Sequence, residues 1–481
     1  MKVGDYIRGK IRSFLRIEPA DRQVFSVKEG LDRAGTAYMH RLWYRGKADE
    51  LAQFYAELPD TGCKFWHCSS TRGMEMRRLH TGLPKIIIKT LTQIVTGDFN
   101  GIQLDESYQQ LWDDIARDNR FPRLLVTAVR DMLIVGDGAF KVSIDPFVSE
   151  LPIIEWFGGE RVEFVHRRGR LHEVIFLTEY AHKGGMSFIL HEHYGRGHIR
   201  YRLFRSDGTE FPLSYLPQTE QLSDVEYAGG FIMAVPLMRS EDGCEKRGES
   251  IFEGKEDNFD ALDESWSQWM QAQRVSRPMT YIPDRLIPRD PKNGALIKRN
   301  AFDNQFVEIA SNMAEGAQDR VTVEQPKFPA AEYNATFITA LDLALQGVIS
   351  PSTLGIDVKK LDNAEAQREK EKTTLYTRAA LIEALSEALP ELVKTALNVH
   401  FTSKEQAVEK ISAAVKFGEY ANPSFEAVVE TMSNPNTPMS IEAKVEELWG
   451  DSRDEKWKAA EVMRIKAQAG IAEVAEPSLA E

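Results

Sequence analysis

The chain has 481 residues, 42% hydrophobic and 28% charged, with a formal net charge of −13. That length implies about two to four packed units, and the composition argues against wholesale disorder. The excess of 73 acidic over 60 basic residues argues against a tight DNA binder, and three cysteines argue against a disulfide framework and for a reducing compartment.

No apolar run reaches the roughly 18 residues needed to cross a bilayer. The start, MKVGDYIRGKIRSFLRI, is basic without an apolar h-region and does not read as a secretory signal. Mixed helix and loop follow to about residue 80, including MHRLWYRGKADELAQFYAEL. Leu83 to Val95 predicts a helix, with Pro84 suited to its first turn and Gly97 to its stop. Helices are also expected around Tyr108–Arg117 and Pro122–Ile134, and Gly136-Asp137-Gly138 reads as a tight turn. From Arg161 the period becomes two: EFVH, HEVIFLTEY, SFILHEHY and IRYRLF are strand-like runs split by glycine turns, the pattern of an antiparallel meander. Residues 31–245 therefore read as one α+β domain, helices first and strands after.

At Asp257 the helical period returns. Phe259, Leu262, Trp266 and Trp269 share a face, and Asp260, Asp263, Glu264 and Gln271 are expected largely elsewhere, toward solvent. A short β-prone, proline-punctuated segment, RPMTYIPDRLIPRDPKNGALI, separates this helix from a second, AAEYNATFITALDLALQG, which carries Phe337, Ile338, Leu341 and Leu345. Gly347 is placed to end that helix, with Pro351 just beyond. Asp362 to Glu365 opens a long charged helix, and Pro390 predicts a kink or break near Ala388. Residues 403–481 read as charged and helical, with Ser452 and Glu455 capping WKAAEVMRIKAQAG.

Catalytic and metal motifs fail on their chemistry. Gly4-x4-Gly9-Lys10 lacks both a preceding strand and the hydroxyl that a phosphate loop offers to magnesium, since Ile11 stands there. Cys63, His67, Cys68 and His80 lack the paired short spacings of a zinc site. His191 and His193 share a strand face, with His198 across a turn, but no carboxylate pattern accompanies them. Gly136-Asp137-Gly138 is too short for a dinucleotide fingerprint. The expectation is no cofactor, no metal and no enzyme activity.

In order and spacing, Trp43-Tyr44-Arg45-Gly46, Gln53–Tyr55, GDGAFKVSID, RGESIFEGKEDNFDALDESWSQ followed by TYIPDRLI, and ISPSTLGID followed by Asn363-Ala364-Glu365 resemble the portal proteins (head-tail connectors) of tailed double-stranded DNA bacteriophages. The resemblance implies an α+β portal fold. Residues 1–30 would be an N-terminal arm, 31–245 the wing, 246–275 the first stem helix and 276–330 the clip. Residues 331–348 would be the second stem helix, 349–362 the tunnel loop, 363–402 the long kinked helix and 403–481 the crown.

By the same resemblance Phe259, Leu262, Trp266, Trp269, Phe337 and Leu341 would pack the stem. Arg285, Arg289, Asp290 and Lys292 of the clip would meet partners. Ser350, Pro351, Ser352, Thr353, Leu354, Lys359 and Lys360 would line a DNA channel. The implied assembly is a homo-oligomeric ring of about twelve subunits. It would sit at one capsid vertex of the virion, and in the host cytoplasm during assembly. Its partners would be the terminase packaging motor, the head-completion adaptor, the scaffold and major capsid protein, and double-stranded DNA passing without sequence preference, with no membrane. The alternatives are a structural capsid or adaptor protein without a channel, or a nucleotide- or metal-dependent enzyme.

Overall fold

A computed structural model describes residues 33–58, 64–68, 76–181, 186–240, 246–283, 286–287, 289–292, 294–295, 306–310, 321–356, 364–406, 411–418, 441, 443–445 and 455–468. The chain divides into two units, Met1–Phe417 and Gly418–Glu481.

The larger unit is mixed α+β. Its described residues open with α1 (Arg33–Arg45) and α2 (Ala48–Glu57). Next come α3 (Leu83–Gly97), β1 (Phe99–Leu104), α4 (Glu106–Asp118) and α5 (Phe121–Val135). Apolar residues at helical spacing make α3 a core helix: Ile87, Ile88, Leu91 and Val95 are fully buried. Pro84 and Pro122 stand in the first turns of α3 and α5, where a missing N–H removes no helical bond. Gly97 is the last residue of α3 rather than a stop beyond it, and Asp98 caps the end.

α5 ends at Gly136, whose φ of 106° suits glycine. A Cβ at Gly136 would lie 2.2 Å from Gly248 O, so the missing side chain also permits close backbone packing. From there β2 (Asp137–Ser143) forms the centre of a three-stranded antiparallel sheet between β3 (Ile153–Gly158) and a late strand, β10 (Ala234–Met238).

The expected meander is observed. β4 (Val162–Arg167), β5 (Arg170–Ala181), β6 (Ser187–Gly195) and β7 (His198–Arg205) pair successively antiparallel. Short strands β8 (Glu210–Phe211) and β9 (Val225–Glu226) both pair with β7.

Two paired helices follow. α6 spans Glu256–Val275, and α7 spans Ala330–Leu345. Between them lies a small sheet in which β11 (Met279–Pro283) runs parallel to β12 (Phe306–Ile309) and antiparallel to β13 (Thr322–Glu324). After a 3-10 turn at Pro351–Leu354, α8 runs for 40 residues from Ala364 to Ser403.

Pro390 lies inside α8 and the helix continues through it, so of the expected kink or break the break does not occur. Buried Leu385, Leu389, Leu392, Val393, Ala396 and Leu397 surround that position. Burying each large aliphatic side chain contributes about 1.5–3 kcal/mol, enough to offset the roughly 3 kcal/mol that an interior proline costs.

A second departure lies just beyond α8. The reading of 403–481 as helical misses β14 (Ala413–Phe417), which pairs antiparallel with β1. Neither strand forms a ladder alone, and Phe99 meets Phe417 at 5.9 Å between ring centres. In the second unit α9 (Glu455–Gln468) is helical as expected, whereas Ser452 lies outside the described residues.

Candidate functional site

The helix pair α6–α7, its small sheet and the segment after it form the candidate site. α6 begins by gripping the α+β core. Phe259 and Leu262 are buried, and Phe259 packs against Trp43 and Phe252 at 5.8 and 5.6 Å.

Two of the three carboxylates expected on the solvent side, Asp260 and Asp263, are instead inside. Asp260 accepts bonds from the amides of Phe65 and Trp66 at 2.8 and 3.2 Å. Asp263, 0% exposed, accepts from Thr81 N and Thr81 Oγ1 at 2.8 Å and from Trp66 Nε1 at 3.3 Å, and His80 Nδ1 lies 2.6 Å from it. Ser267 Oγ accepts from Leu79 N at 2.9 Å. The reason is angular. At about 100° per residue, Asp263 lies only about 40° from Phe259, on the same side of the helix. Burial raises the Asp260 pKa above the ordinary carboxylate value, opposed by the two backbone donors.

Further along α6 the apolar arc turns toward α7. Trp266 and Trp269 meet Phe337 at 5.5 and 6.0 Å and each other at 5.8 Å, while Leu341 is half-buried in the same core. Lys255 Nζ and Asn258 Nδ2 donate to Leu343 O at 3.2 and 3.4 Å and tie the open end of α7 to α6. The six stem residues thus divide their work, two holding α6 to the core and four near the seam.

Asn258, Ala261, Ala335, Thr336, Thr339 and Leu343 line an open groove of about 430 Å³ that contains no ionisable side chain. Ala331, Ala335, Thr339 and Leu343 of α7 are exposed. The small side chains of this lining admit close helix approach.

Gly347, at φ 74°, turns the chain out of α7. Ser350 N donates to Thr374 Oγ1 at 2.9 Å, Thr353 and Thr374 share a 2.8 Å hydroxyl bond, and Thr377 Oγ1 donates to Val348 O at 2.7 Å. Ser350 is buried; Pro351, Ser352, Thr353 and Leu354 are half-buried in the 3-10 turn. Ser350–Leu354 is therefore fastened to α8. Lys359 and Lys360 lie outside the described residues.

In the small head, Arg289 and Lys292 are exposed. Asp290 is used internally, its Oδ1 accepting from Lys292 N at 2.9 Å and its backbone bonding Gly294 and Ala295. Arg285 lies outside the described residues.

The candidate metal ligands are dispersed. His67 Nδ1 donates to Tyr55 O at 2.6 Å, His80 serves Asp263, Cys68 is exposed, and Cys63 lies outside the described residues. On the meander, a carboxylate that the sequence reading missed joins the histidines: Glu173 lies 3.3 Å from His193 and 3.9 Å from His198. The hydrogen bond from His193 holds Glu173 below the usual carboxylate value, and burial with neighbouring His193 pushes His191 down to about 4. Among the described residues no group of three or more His, Cys, Asp or Glu is arranged to hold a metal ion.

The residue that sequence reasoning most underrated is Asp137, read only as part of a turn. It is 0% exposed, receives Arg247 at 2.7 and 2.9 Å and Arg33 at 2.8 Å, and accepts from Gly248 N at 2.9 Å. An acid between two glycines at the mouth of an apolar strand was the available signal. A Cβ on Gly138 would come within 2.3 Å of Trp156.

No protein-family model matches the chain, and no curated protein does. Among solved structures, a chain of the virion of a native gene transfer agent particle aligns over 98% of this chain and 97% of its own at 13% identity and a TM-score of 0.43. A chain from the neck of the native particle, solved with C12 symmetry, aligns over 79% and 89% at 13% identity and 0.41. One from the neck of the empty particle, solved with C6 symmetry, aligns over 80% and 90% at 13% identity and 0.42. Superpositions this loose carry no function across to the chain.

Proposed function

We propose that the chain is a portal subunit, one of a ring of about twelve that surrounds a DNA channel at a capsid vertex and serves genome packaging, retention and ejection. The observation that supports it best is the helix pair α6–α7. It is tied to the core at one end by Asp260 and Asp263 and interrupted in sequence by a small sheet, and it leaves open a groove lined by uncharged side chains. On this reading residues 31–245 with β14 form the wing, α6 and α7 the stem, and the intervening sheet a clip that meets the packaging motor and head-completion adaptor.

Electron microscopy and mass photometry of the purified full chain test the reading. Hollow rings without nucleotide hydrolysis support it. A strictly monomeric species at high concentration in several buffers sinks it, and a solid, channel-free assembly would favour a capsid or adaptor role. Lys359 and Lys360 are proposed to offer passing phosphates weak, equivalent contacts, screened over roughly 8–10 Å. Replacing both with Ala should leave ring formation intact and reduce packaged or retained DNA; unchanged packaging and retention would remove them from the channel wall.

A further inference from the structure

The hairpin joining β4 and β5 makes two choices that each oppose folding. Arg167 and Arg170 are directly opposed in the last pair of the ladder, and like charges so placed weaken a sheet. Arg168 adopts φ 51° ahead of Gly169 at φ 77°, a two-residue left-handed turn for which Asn-Gly or Gly-Gly is the less strained choice. All three arginines are exposed, and among the described residues none has an ion pair or hydrogen-bond partner from its side chain.

The hairpin tip also projects past the end of β6, although Leu171 beside it packs on the core. β5 continues three residues beyond Glu173, which pairs with Gly195 at the end of β6, an overhang of about 10 Å. Lys246 Nζ donates to Gly169 O at 3.1 Å and pins the turn from below, adding a fourth cation at its base.

We propose that this tip is a docking surface for the phosphate backbone of duplex DNA, separate in sequence from Lys359 and Lys360. Residues 166–170, His-Arg-Arg-Gly-Arg, contain no aliphatic side chain, whereas protein interfaces bury an apolar centre. Guanidinium forks match phosphate oxygens two at a time, and backbone contacts need no base sequence. The −13 net charge does not cancel the tip, because charges more than roughly 8–10 Å away are screened at physiological salt. The inference rests on the proposed function only for the identity of the polymer.

Fluorescence anisotropy with a labelled random-sequence duplex, using the full chain from about 50 to 200 mM salt, tests it. Replacing Arg167, Arg168 and Arg170 together with Ala should lower affinity roughly tenfold or more at the lowest salt. The slope of log affinity against log salt should become shallower by about 2–3, near 0.9 per lost phosphate contact. Arg168→Gly alone relieves the left-handed strain, so its melting temperature should hold or rise while about one unit of slope disappears.

Three results overturn the proposal: no binding by the parent at the lowest salt, equal affinity and slope in parent and triple variant, or unchanged DNA binding with loss of self-association. The last would assign the arginines to protein carboxylates. Mass photometry on the same samples separates the two ideas. Arginine-dependent DNA binding without rings sinks the portal reading alone, and rings with arginine-independent binding sink the docking surface alone.

Discussion

Asp263 shows how one buried carboxylate can couple a helix to a distant loop. Its oxygens hold Trp66, His80 and Thr81, so a change there removes several bonds at once. Asp263→Ala should cost about 2–4 kcal/mol in denaturant unfolding, because buried donors are left without an acceptor. A loss below about 1 kcal/mol would mean that the loop repacks around the vacancy. His191 provides a pH test. The free imidazole protonates near 6.5, the folded one near 4. Between those values the unfolded chain binds the extra proton, so stability is full above 6.5 and falls as pH drops toward 4. At pH near 5 the loss should approach about 1–2 kcal/mol, and His191→Gln should remove that part of the acid sensitivity. Identical pH–melting profiles for parent and variant would rule the contribution out. At this scale the sequence was partly legible: the Phe259–Trp269 face follows from spacing alone. Asp263 did not, because residue type suggested solvent whereas its angle to Phe259 demanded burial.

Elements held together by local pattern were the readable ones. α3, α5 and the β4–β7 meander follow from periodicity and from glycine or proline at their ends. The β1–β14 pair was not readable, since its two strands lie on opposite sides of most of the chain and only their meeting makes either a strand. The absence of a break at Pro390, one of the two outcomes the local rule allows, had a similar cause in long-range burial. Gly347 separates local conformation from packing. A Cβ there would touch nothing within 4 Å, yet φ is 74°. Gly347→Ala should therefore destabilise by only about 1 kcal/mol, through backbone strain. Gly138→Ala, where the added carbon meets Trp156, should cost more, about 1–3 kcal/mol or beyond. Equal effects in chemical denaturation would contradict this division.

At the scale of the whole molecule the question is what covers α7. Its only charged residues are Glu332 and Asp342, and much of its surface is small and uncharged. A helix with that composition gains little from water contact, whereas packing against another copy would remove apolar area worth about 25 cal/mol per Å². Small side chains allow close approach, and a head-to-tail contact repeated with a closing rotation gives a ring. Placing a charge in the groove should therefore separate folding from assembly. Ala335 and Thr339 are exposed in the single chain, so Ala335→Glu with Thr339→Glu should change monomer stability by no more than about 0.5–1 kcal/mol. In an assembled ring the same carboxylates would be desolvated against a neighbour without a cationic partner in the groove, and burial of unpaired charge is costly. If the parent forms rings as proposed, mass photometry of the variant should show monomers or small oligomers at unchanged far-ultraviolet circular dichroism. Rings that assemble normally with both substitutions would show that this face stays in water and that subunits meet elsewhere.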